Sequence, residues 1–251
     1  MSPETNDTPE TLPILYRDDA LVVVHKPSGL LVHKSLIDKH ETRYAMRIIR
    51  DQIGQYVYPV HRLDKPTSGI LVFALSSDIA RIVSQQIENK QWHKEYHAWV
   101  RGWLKDQHID YALKEKLDKI ADKMADQNKD AQAAQTDVQC LQRFEIPKPT
   151  GRYTSTRCSF VKLIPRTGRK HQLRRHLAHV NHPILGDTTH GDGKHNQFYR
   201  DECNLHRLGL VHSRLTMTHP LTNKPLVIEC PLSEELKGFS SHLEAFAFLE
   251  E

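Results

Sequence analysis

The chain has 251 residues, 38% hydrophobic and 26% charged, which allows a buried core in one catalytic domain, with or without an insertion. Its net charge of +4 is too small to indicate a partner, and its four well-separated cysteines disfavour a disulfide framework or a cysteine zinc site. We expect reduced thiols in a cytoplasmic protein. The polar residues 1–11 do not resemble a signal peptide and are interpreted as a flexible tail, and no apolar run is long enough to cross a membrane.

Short strands and tight turns are predicted for the first part of the chain. LVVV from Leu21 is β-branched and precedes the turn signal KPSG, and the apolar run ILVFAL from Ile70 is typical of a buried strand. SSDIARIVSQQIENK predicts a helix that Ser76 or Ser77 can cap. KEYHAWVRGWL alternates as a strand, with Tyr96 on the same face as the next apolar positions.

The second half has a different composition. The mixed-charge segment from Lys105 to Phe144 predicts an exposed helical insertion. TGRKHQLRRHLAHV predicts a helix that ends before Pro183, LTMTHPLTNKPLVIEC a hairpin and SEELKGF the start of a last helix. The irregular order of strands and helices predicts one α+β domain over residues 12–251, with a mainly antiparallel mixed sheet flanked by helices and loops.

The stretch HRLDKPTSG, from His61 to Gly69, places one carboxylate among basic side chains at a turn. In one interpretation Asp64 caps the turn and pairs with Arg62 or Lys65. In the other, cationic neighbours keep Asp64 ionised, and it acts as a nucleophile or base. The motif alone is compatible with both.

A strongly basic segment runs from Gly151 to Gly186. It contains eight Lys or Arg residues and no Asp or Glu in 36 positions. Such a segment indicates either a solvated basic face or a surface that binds RNA or DNA phosphates. Beside it, Tyr96 is either a core residue or a platform on which an extruded base stacks.

Other chemistries have weaker support. His176 and His179 have a spacing that could place two ligands on one helix face, but no acid or cysteine completes a metal site. HRLD differs from a kinase HRD loop by Leu63, and no DFG follows. A hydrolase that uses His61 and Asp64 stays an alternative, although it lacks an identifiable nucleophile.

Five blocks occur in order between about Ile14 and Cys230: KPSGLLVH, HRLDKPTSG, KEYHAWVRG, TGRKHQLRRHLAHVNHPILGD and RLGLVHSRLTMTHP. Together they resemble the RluA family of pseudouridine synthases. The resemblance implies the pseudouridine synthase fold and an isomerase that converts uridine to pseudouridine in RNA, without cofactor or metal. No coiled coil or dimer patch is apparent in the sequence, so we expect a monomer.

The resemblance also assigns roles to residues. It implies that Asp64 is the catalytic aspartate, that Tyr96 packs on the target base and that Arg174 pairs with the carboxylate. A bidentate Arg174 would keep Asp64 ionised and oriented. Two further substrate contacts are implied: Arg62, which helps to extrude the base, and Leu210, an apolar residue beneath it. Three residues of the strongly basic segment are also expected to contact RNA: Arg169, Lys170 and Arg175.

The blocks LDKIADK and TGRYTSTR, together with TGRKHQLRRHLAH, resemble those of family members that modify tRNA. This resemblance implies tRNA as the substrate, with uridine 65 as the target. Ribosomal RNA is the alternative substrate within the same family. A non-catalytic RNA-binding protein is the alternative from another class, and it would not need the set formed by Asp64, Tyr96 and Arg174.

Overall fold

The structure is a computed structural model that describes residues 10–34, 41–114 and 130–248. Its strands are β1 (Ile14–Arg17), β2 (Leu21–Lys26), β3 (Tyr58–Pro59), β4 (Ser68–Ala74), β5 (His93–Arg101), β6 (Gln107–Asp110), β7 (Gln135–Ile146), β8 (Thr156–Pro165), β9 (Leu210–Thr218), β10 (Pro225–Glu229) and β11 (Ala247–Phe248). Its helices are α1 (Ala45–Ile53), α2 (Ser77–Glu88), α3 (Gln172–His179), α4 (Gly193–Cys203) and α5 (Glu234–Glu244).

The described strands form one mixed sheet. Its main order is β1-β2-β4-β9-β5-β8-β7-β11, while β3, β6 and β10 extend β4, β7 and β9. Strands β4 and β9 pair in parallel, and the other pairs between these strands are antiparallel. The predicted α+β fold with a mainly antiparallel sheet is confirmed.

The junction between β4 and β9 requires a glycine. Gly69 has φ +113°, and a Cβ added there would lie 2.3 Å from the carbonyl oxygen of His212. Only a residue without a side chain allows this backbone conformation and this close approach. Gly69 therefore brings the end of the HRLDKPTSG loop against the start of β9.

The predicted helices α2, α3 and α5 are present. The Ser76 hydroxyl caps α2 by accepting a hydrogen bond from Ile79 N at 3.3 Å. In α3, Leu173 and Leu177 are buried against β5 and β8. On the other face of the sheet, α4 and α5 pack over alternate strand residues such as Trp99. None of the helices in the described residues is long and apolar enough to span a membrane.

The prediction of a helical insertion from Lys105 to Phe144 was wrong for the described parts of that segment. Strands β6 and β7 pair with each other there, and β7 continues into a long pairing with β8. The buried residues Thr136 and Val138 alternate with more exposed ones, so strand pairing overrides the helix-prone composition. Residues 115–129 lie outside the described residues, as do residues 1–9 of the predicted tail.

Candidate active site

A cavity of about 520 Å³ lies between the HRLDKPTSG loop, β5 and the segment that leads into α3. Seven of the eight predicted site residues line it: Asp64, Tyr96, Arg174, Arg62, Leu210, Arg169 and Lys170. The eighth, Arg175, does not, because its guanidinium donates to the carbonyl of Lys114 at 2.9 Å. Residues far apart in the sequence are therefore brought to one site.

The loop that carries Asp64 is held by the KPSG turn after β2. The fully buried amine of Lys26 donates to the carbonyls of Leu30 at 2.8 Å and Lys65 at 3.2 Å. Gly29 N also donates to the Lys65 carbonyl, at 2.8 Å. Burial and the charge of Arg207 lower the pKa of Lys26 to about 7, although Asp64 acts in the opposite direction. Hydrogen bonds thus join the KPSG turn and the HRLDKPTSG loop into one unit that carries Asp64.

The carboxylate of Asp64 points away from its own turn. Its Oδ2 lies 3.5 Å from Arg174 Nη1, and its Oδ1 lies 3.8 Å from His171 Nε2. The turn itself is closed by the backbone, where Thr67 N donates to the Asp64 carbonyl at 3.0 Å. The amine of Lys65 lies 3.7 Å from Glu41 instead. The carboxylate is therefore free of capping and faces the cavity.

The prediction of a bidentate pair between Arg174 and Asp64 was wrong. Arg174 makes its bidentate pair with Asp187, through two hydrogen bonds of 2.7 Å, and offers only Nη1 to Asp64. The Asp187 side chain is fully buried and also accepts hydrogen bonds from the backbone of Thr189 and His190. Its partner lies 13 residues away in the sequence, and no local pattern indicated the pairing.

The electrostatics of this pair favour two ionised groups. Burial opposes the charge of Asp187, but hydrogen bonds from Arg174 and from the backbone lower the pKa of Asp187. Burial likewise opposes the charge of Arg174, while Asp187 and then Asp64 raise the pKa of Arg174. Arg174 is thereby fixed as a cation whose remaining edge faces Asp64.

His171 completes the surroundings of Asp64. It has φ 55° at the N-terminus of α3, and its Nδ1 lies 3.0 Å from Nε2 of His190. Burial lowers the pKa of His171, with Arg174 and Lys170 adding to this effect and Asp64 opposing it. Sequence reasoning assigned no role to His171 or Asp187, although both lie in the quoted block TGRKHQLRRHLAHVNHPILGD.

Tyr96 is positioned by β5 and stacks on His212 of β9, with ring centroids 4.5 Å apart and an angle of 14°. His212 is fully buried, and its Nδ1 donates to the Ile70 carbonyl at 2.8 Å. Burial lowers the pKa of His212 to about 3, so the ring is neutral. Burial and the charge of Asp64 raise the pKa of Tyr96, so its phenol is also neutral. Tyr96 thus borders the cavity as a supported aromatic ring.

Strand β9 bulges beside this stack. Its register against β5 shifts between the pairs Glu95–Arg214 and Tyr96–His212, which leaves Ser213 as the extra residue. The Ser213 hydroxyl donates to the Glu95 carbonyl at 3.1 Å. Bulges re-aim side chains next to active sites. Here the bulge follows Leu210, which is buried and lines the cavity.

Lys94 is a cavity residue that sequence reasoning missed. It precedes Tyr96 by two positions on β5, so both side chains leave the strand on one face and line the cavity. The amine is half-buried and makes no hydrogen bond or ion pair within the described residues. The alternation of β5 was the available signal, since it placed Lys94 on the face of Tyr96.

The outer part of the cavity is basic. Arg62 is exposed there and makes no hydrogen bond or ion pair within the part of the chain that the structure describes. Arg169 is also exposed, with its Nε donating to the Ala133 carbonyl at 3.2 Å. Exposed cations around a concave site are suited to phosphate groups.

Two histidines considered for other chemistries, His61 and His176, have structural partners. Val72 N donates to His61 Nε2 at 3.0 Å, so this nitrogen carries no proton and is not available as the base of a hydrolase. Both ring nitrogens of His176 are occupied, one by Thr136 and the other by the Tyr111 carbonyl. Within residues 10–34, 41–114 and 130–248, no group of three or more His, Cys, Asp or Glu residues could hold a metal ion.

Comparison with known proteins identifies the family. The family model for RNA pseudouridylate synthase matches residues 20–179. "tRNA pseudouridine synthase C" of Vibrio cholerae is 54% identical over 234 residues, which cover 92% of this chain and 95% of that protein. The proteins of the same name from Vibrio parahaemolyticus and Pasteurella multocida are 52% and 53% identical, over 94% and 87% of this chain and 96% and 90% of their own lengths.

Solved structures agree with these sequence relatives. Human RNA pseudouridylate synthase domain containing 4 superposes with a TM-score of 0.70 at 25% identity, covering 95% of both chains. Human RNA pseudouridylate synthase domain containing 1 has the same fold, with a TM-score of 0.67 at 22% identity and 98% coverage of both chains. The chain belongs to the RNA pseudouridylate synthase family and is an isomerase that acts on RNA.

Proposed function

We propose that this protein converts uridine 65 of tRNA to pseudouridine in the cytoplasm, with Asp64 as the catalytic carboxylate. The observation that carries the proposal is the meeting of Asp64, Tyr96 and Arg174 in one cavity. The choice of tRNA rests on relatives named "tRNA pseudouridine synthase C" that match this chain over nearly its whole length. We expect the protein to act as a monomer.

The chemistry explains the carboxylate. Forming pseudouridine requires that the bond between N1 of uracil and C1′ of ribose breaks and that C5 then bonds to C1′. Asp64 starts this reaction at the ribose, either by attack on C1′ or by removal of a ribose proton. In both routes the carboxylate acts in its ionised form, and the guanidinium of Arg174 lies 3.5 Å from it. The isomerisation has no net redox or hydrolytic step, so we propose that it needs no cofactor.

The division of contacts around Arg174 suits this task. If Asp64 formed the bidentate pair itself, both of its oxygens would be engaged by the arginine. Because Asp187 holds the guanidinium, a positive charge is fixed beside Asp64, and the oxygens of Asp64 stay accessible to the substrate. Electrostatic groups that are already oriented need no rearrangement during the reaction.

The aromatic and basic residues suit the extrusion of the base. A uridine inside an RNA helix must leave its stack before C1′ becomes accessible. Tyr96, supported by His212, supplies an aromatic surface for the extruded uracil, and Leu210 supplies an apolar one. Arg62 stands exposed at the same cavity, where it is suited to fill the place of the base or to bind its phosphate. Arg169 and Lys170 are proposed as further RNA contacts, with Arg175 outside the cavity.

The test is release of tritium from tRNA that carries tritium at C5 of its uracils, because formation of pseudouridine displaces that hydrogen. We expect release by the wild type and none by Asp64→Asn, with unchanged tRNA affinity and melting temperature. Mapping the modified nucleotide then tests uridine 65. Release from ribosomal RNA but not from tRNA would overturn the assignment of tRNA as the substrate. Release by Asp64→Asn at the wild-type rate would overturn the assignment of Asp64 as the catalytic carboxylate.

A further inference from the structure

Besides its arginines and Lys170, the cavity contains one more cation, Lys94. Lys94 lines it from β5, and no carboxylate of the described residues lies within ion-pair distance of its amine. Burial lowers the pKa of Lys94. The charge of Lys94 also acts on His61 and His212, whose pKa values are lowered mainly by burial. The amine therefore lies among uncharged rings.

An ammonium group in such a place lowers the stability of the folded state. It has three donors and no acceptor, and removing it from water without a partner disfavours the folded state. Groups of this kind are retained where a ligand supplies the missing partner. The position beside Tyr96 defines what that ligand is, because the proposed function places the target uracil on the Tyr96 ring.

Uracil acquires a negative charge during the reaction. When the N1–C1′ bond breaks, its electron pair stays with the base, and the charge is shared by N1, O2 and O4. When C5 then bonds to C1′, the hydrogen on C5 leaves as a proton and N1 takes up a proton, so the composition of the nucleotide is unchanged. A cation near O2 or O4 lowers the barrier for the first of these steps.

We propose that Lys94 donates a hydrogen bond to a carbonyl oxygen of the target uracil and stabilises the anion that forms when the base separates from ribose. The proposal rests on the proposed function, since it needs the uracil against Tyr96. It assigns different tasks to Asp64 and Lys94. Asp64 acts on the sugar, and Lys94 acts on the departing base.

The decisive experiment changes the base as well as the lysine. Fluorine at C5 stabilises the uracil anion, so a substrate with 5-fluorouridine at the target position depends less on a stabilising cation. Single-turnover consumption of the target nucleoside is measured with enzyme in excess, after digestion of the tRNA. We expect Lys94→Met to slow the consumption of uridine by about 100-fold. The consumption of 5-fluorouridine should be slowed much less. Equal slowing of both substrates would overturn the proposal.

The stability of the variant gives an independent readout. Since the amine is half-buried without a partner, Lys94→Met is expected to keep or raise the melting temperature while activity falls. A structural role predicts the reverse, a lower melting temperature with activity lost in proportion to unfolding. Lys94→Arg keeps the charge and is expected to recover part of the rate on uridine.

The control is Lys224→Met, which removes an exposed lysine at the turn between β9 and β10. It is expected to leave both rates unchanged. If Lys94 bound a phosphate of the RNA backbone instead, Lys94→Met would weaken tRNA binding and leave the single-turnover rate at saturation intact, which would overturn the proposal. If the wild type converted no tRNA uridine, the proposed function itself would fail, an outcome distinct from a failure of Lys94.

Discussion

At the scale of residues, the site depends on acids and bases that hold one another in place. Asp64 contacts Arg174, Arg174 is clamped by Asp187, and Asp187 is held by the backbone of the loop before α4. Asp187 is fully buried, and within the described part of the chain its ion pair is with the guanidinium that it orients. The position of the arginine is therefore set by a residue that need not touch the substrate.

We predict that Asp187→Asn reduces both activity and stability. The variant removes one partner of a buried ion pair, which costs about 3 kcal/mol in the free energy of unfolding. The guanidinium loses its orientation, and misplacement of a catalytic group slows the reaction on the order of 100-fold. Tritium release and urea unfolding measure the two effects. The exposed Asp201→Asn on α4 serves as control, and a fully active Asp187→Asn would show that Arg174 needs no clamp.

At the scale of elements, the parallel pairing of β4 with β9 joins the two parts of the sheet. It is short, and Gly69 makes it possible, because any side chain there would meet the backbone of His212. The same strand continues to Ile70, whose carbonyl accepts the hydrogen bond of His212. The support beneath Tyr96 thus depends on how closely two strands approach.

A pair of glycine substitutions tests this dependence. Gly69→Ala is expected to cost at least about 2 kcal/mol in the free energy of unfolding, since it combines a positive φ with a backbone clash. Gly238→Ala lies inside α5 with open space around it and is expected to add about 0.5–1 kcal/mol. Thermal and urea unfolding measure both. Equal effects of the two changes would contradict the role of Gly69.

The elements also show what could be predicted from sequence. Helix α2 was readable because a serine cap precedes an apolar stripe that includes Ile79 and Val83. Helices α1 and α4 were not predicted, and the first lacks a side-chain cap. Strands β6 and β7 have a polar composition, which favoured the prediction of a helix. Their extended conformation depends on the pairing of β6 with β7 and of β7 with β8.

The site was predicted to the extent that its residues belong to recognisable blocks. Asp64, Tyr96 and Arg174 were all assigned through the resemblance, and they meet in one cavity. The clamp by Asp187 was missed because it depends on how the chain returns after α3, which no local periodicity encodes. The alternation of β5 places Lys94 on the same face as Tyr96. Lys94 was nevertheless missed, because a lysine in a strand usually faces solvent.

At the scale of the whole molecule, buried histidines link stability to pH. Eight histidines of the described residues have lowered pKa values, with burial as the largest cause in each: His25, His33, His61, His97, His171, His176, His195 and His212. As the pH falls, these histidines become protonated in the unfolded chain while they stay neutral in the folded chain. The contribution of these histidines to stability is therefore complete above about pH 6.5 and is lost as the pH decreases below it.

His212 provides the clearest case. Its pKa is lowered from 6.5 to about 3, so its contribution is complete above pH 6.5 and is lost as the pH falls toward 3. Between pH 7.5 and 5.5, the free energy of unfolding of the wild type should fall by about 1.4 kcal/mol more than that of His212→Gln. Urea unfolding at both pH values measures the difference. The exposed His242→Gln should behave like the wild type, and an unchanged pH dependence in His212→Gln would refute the prediction.

The central place of β9 in the sheet has a consequence for how the protein is made. This strand lies between β4 and β5 but is translated after both, and its His212 meets a partner 142 residues earlier. Until residue 218 has left the ribosome, β4 and β5 each expose an edge that β9 will later cover. The contacts that complete the site are thus among the most non-local in the fold and form late. A chain interrupted before β9 would leave Tyr96 without its supporting ring and the two parts of the sheet unjoined, so we expect the nascent enzyme to be inactive until β9 has emerged.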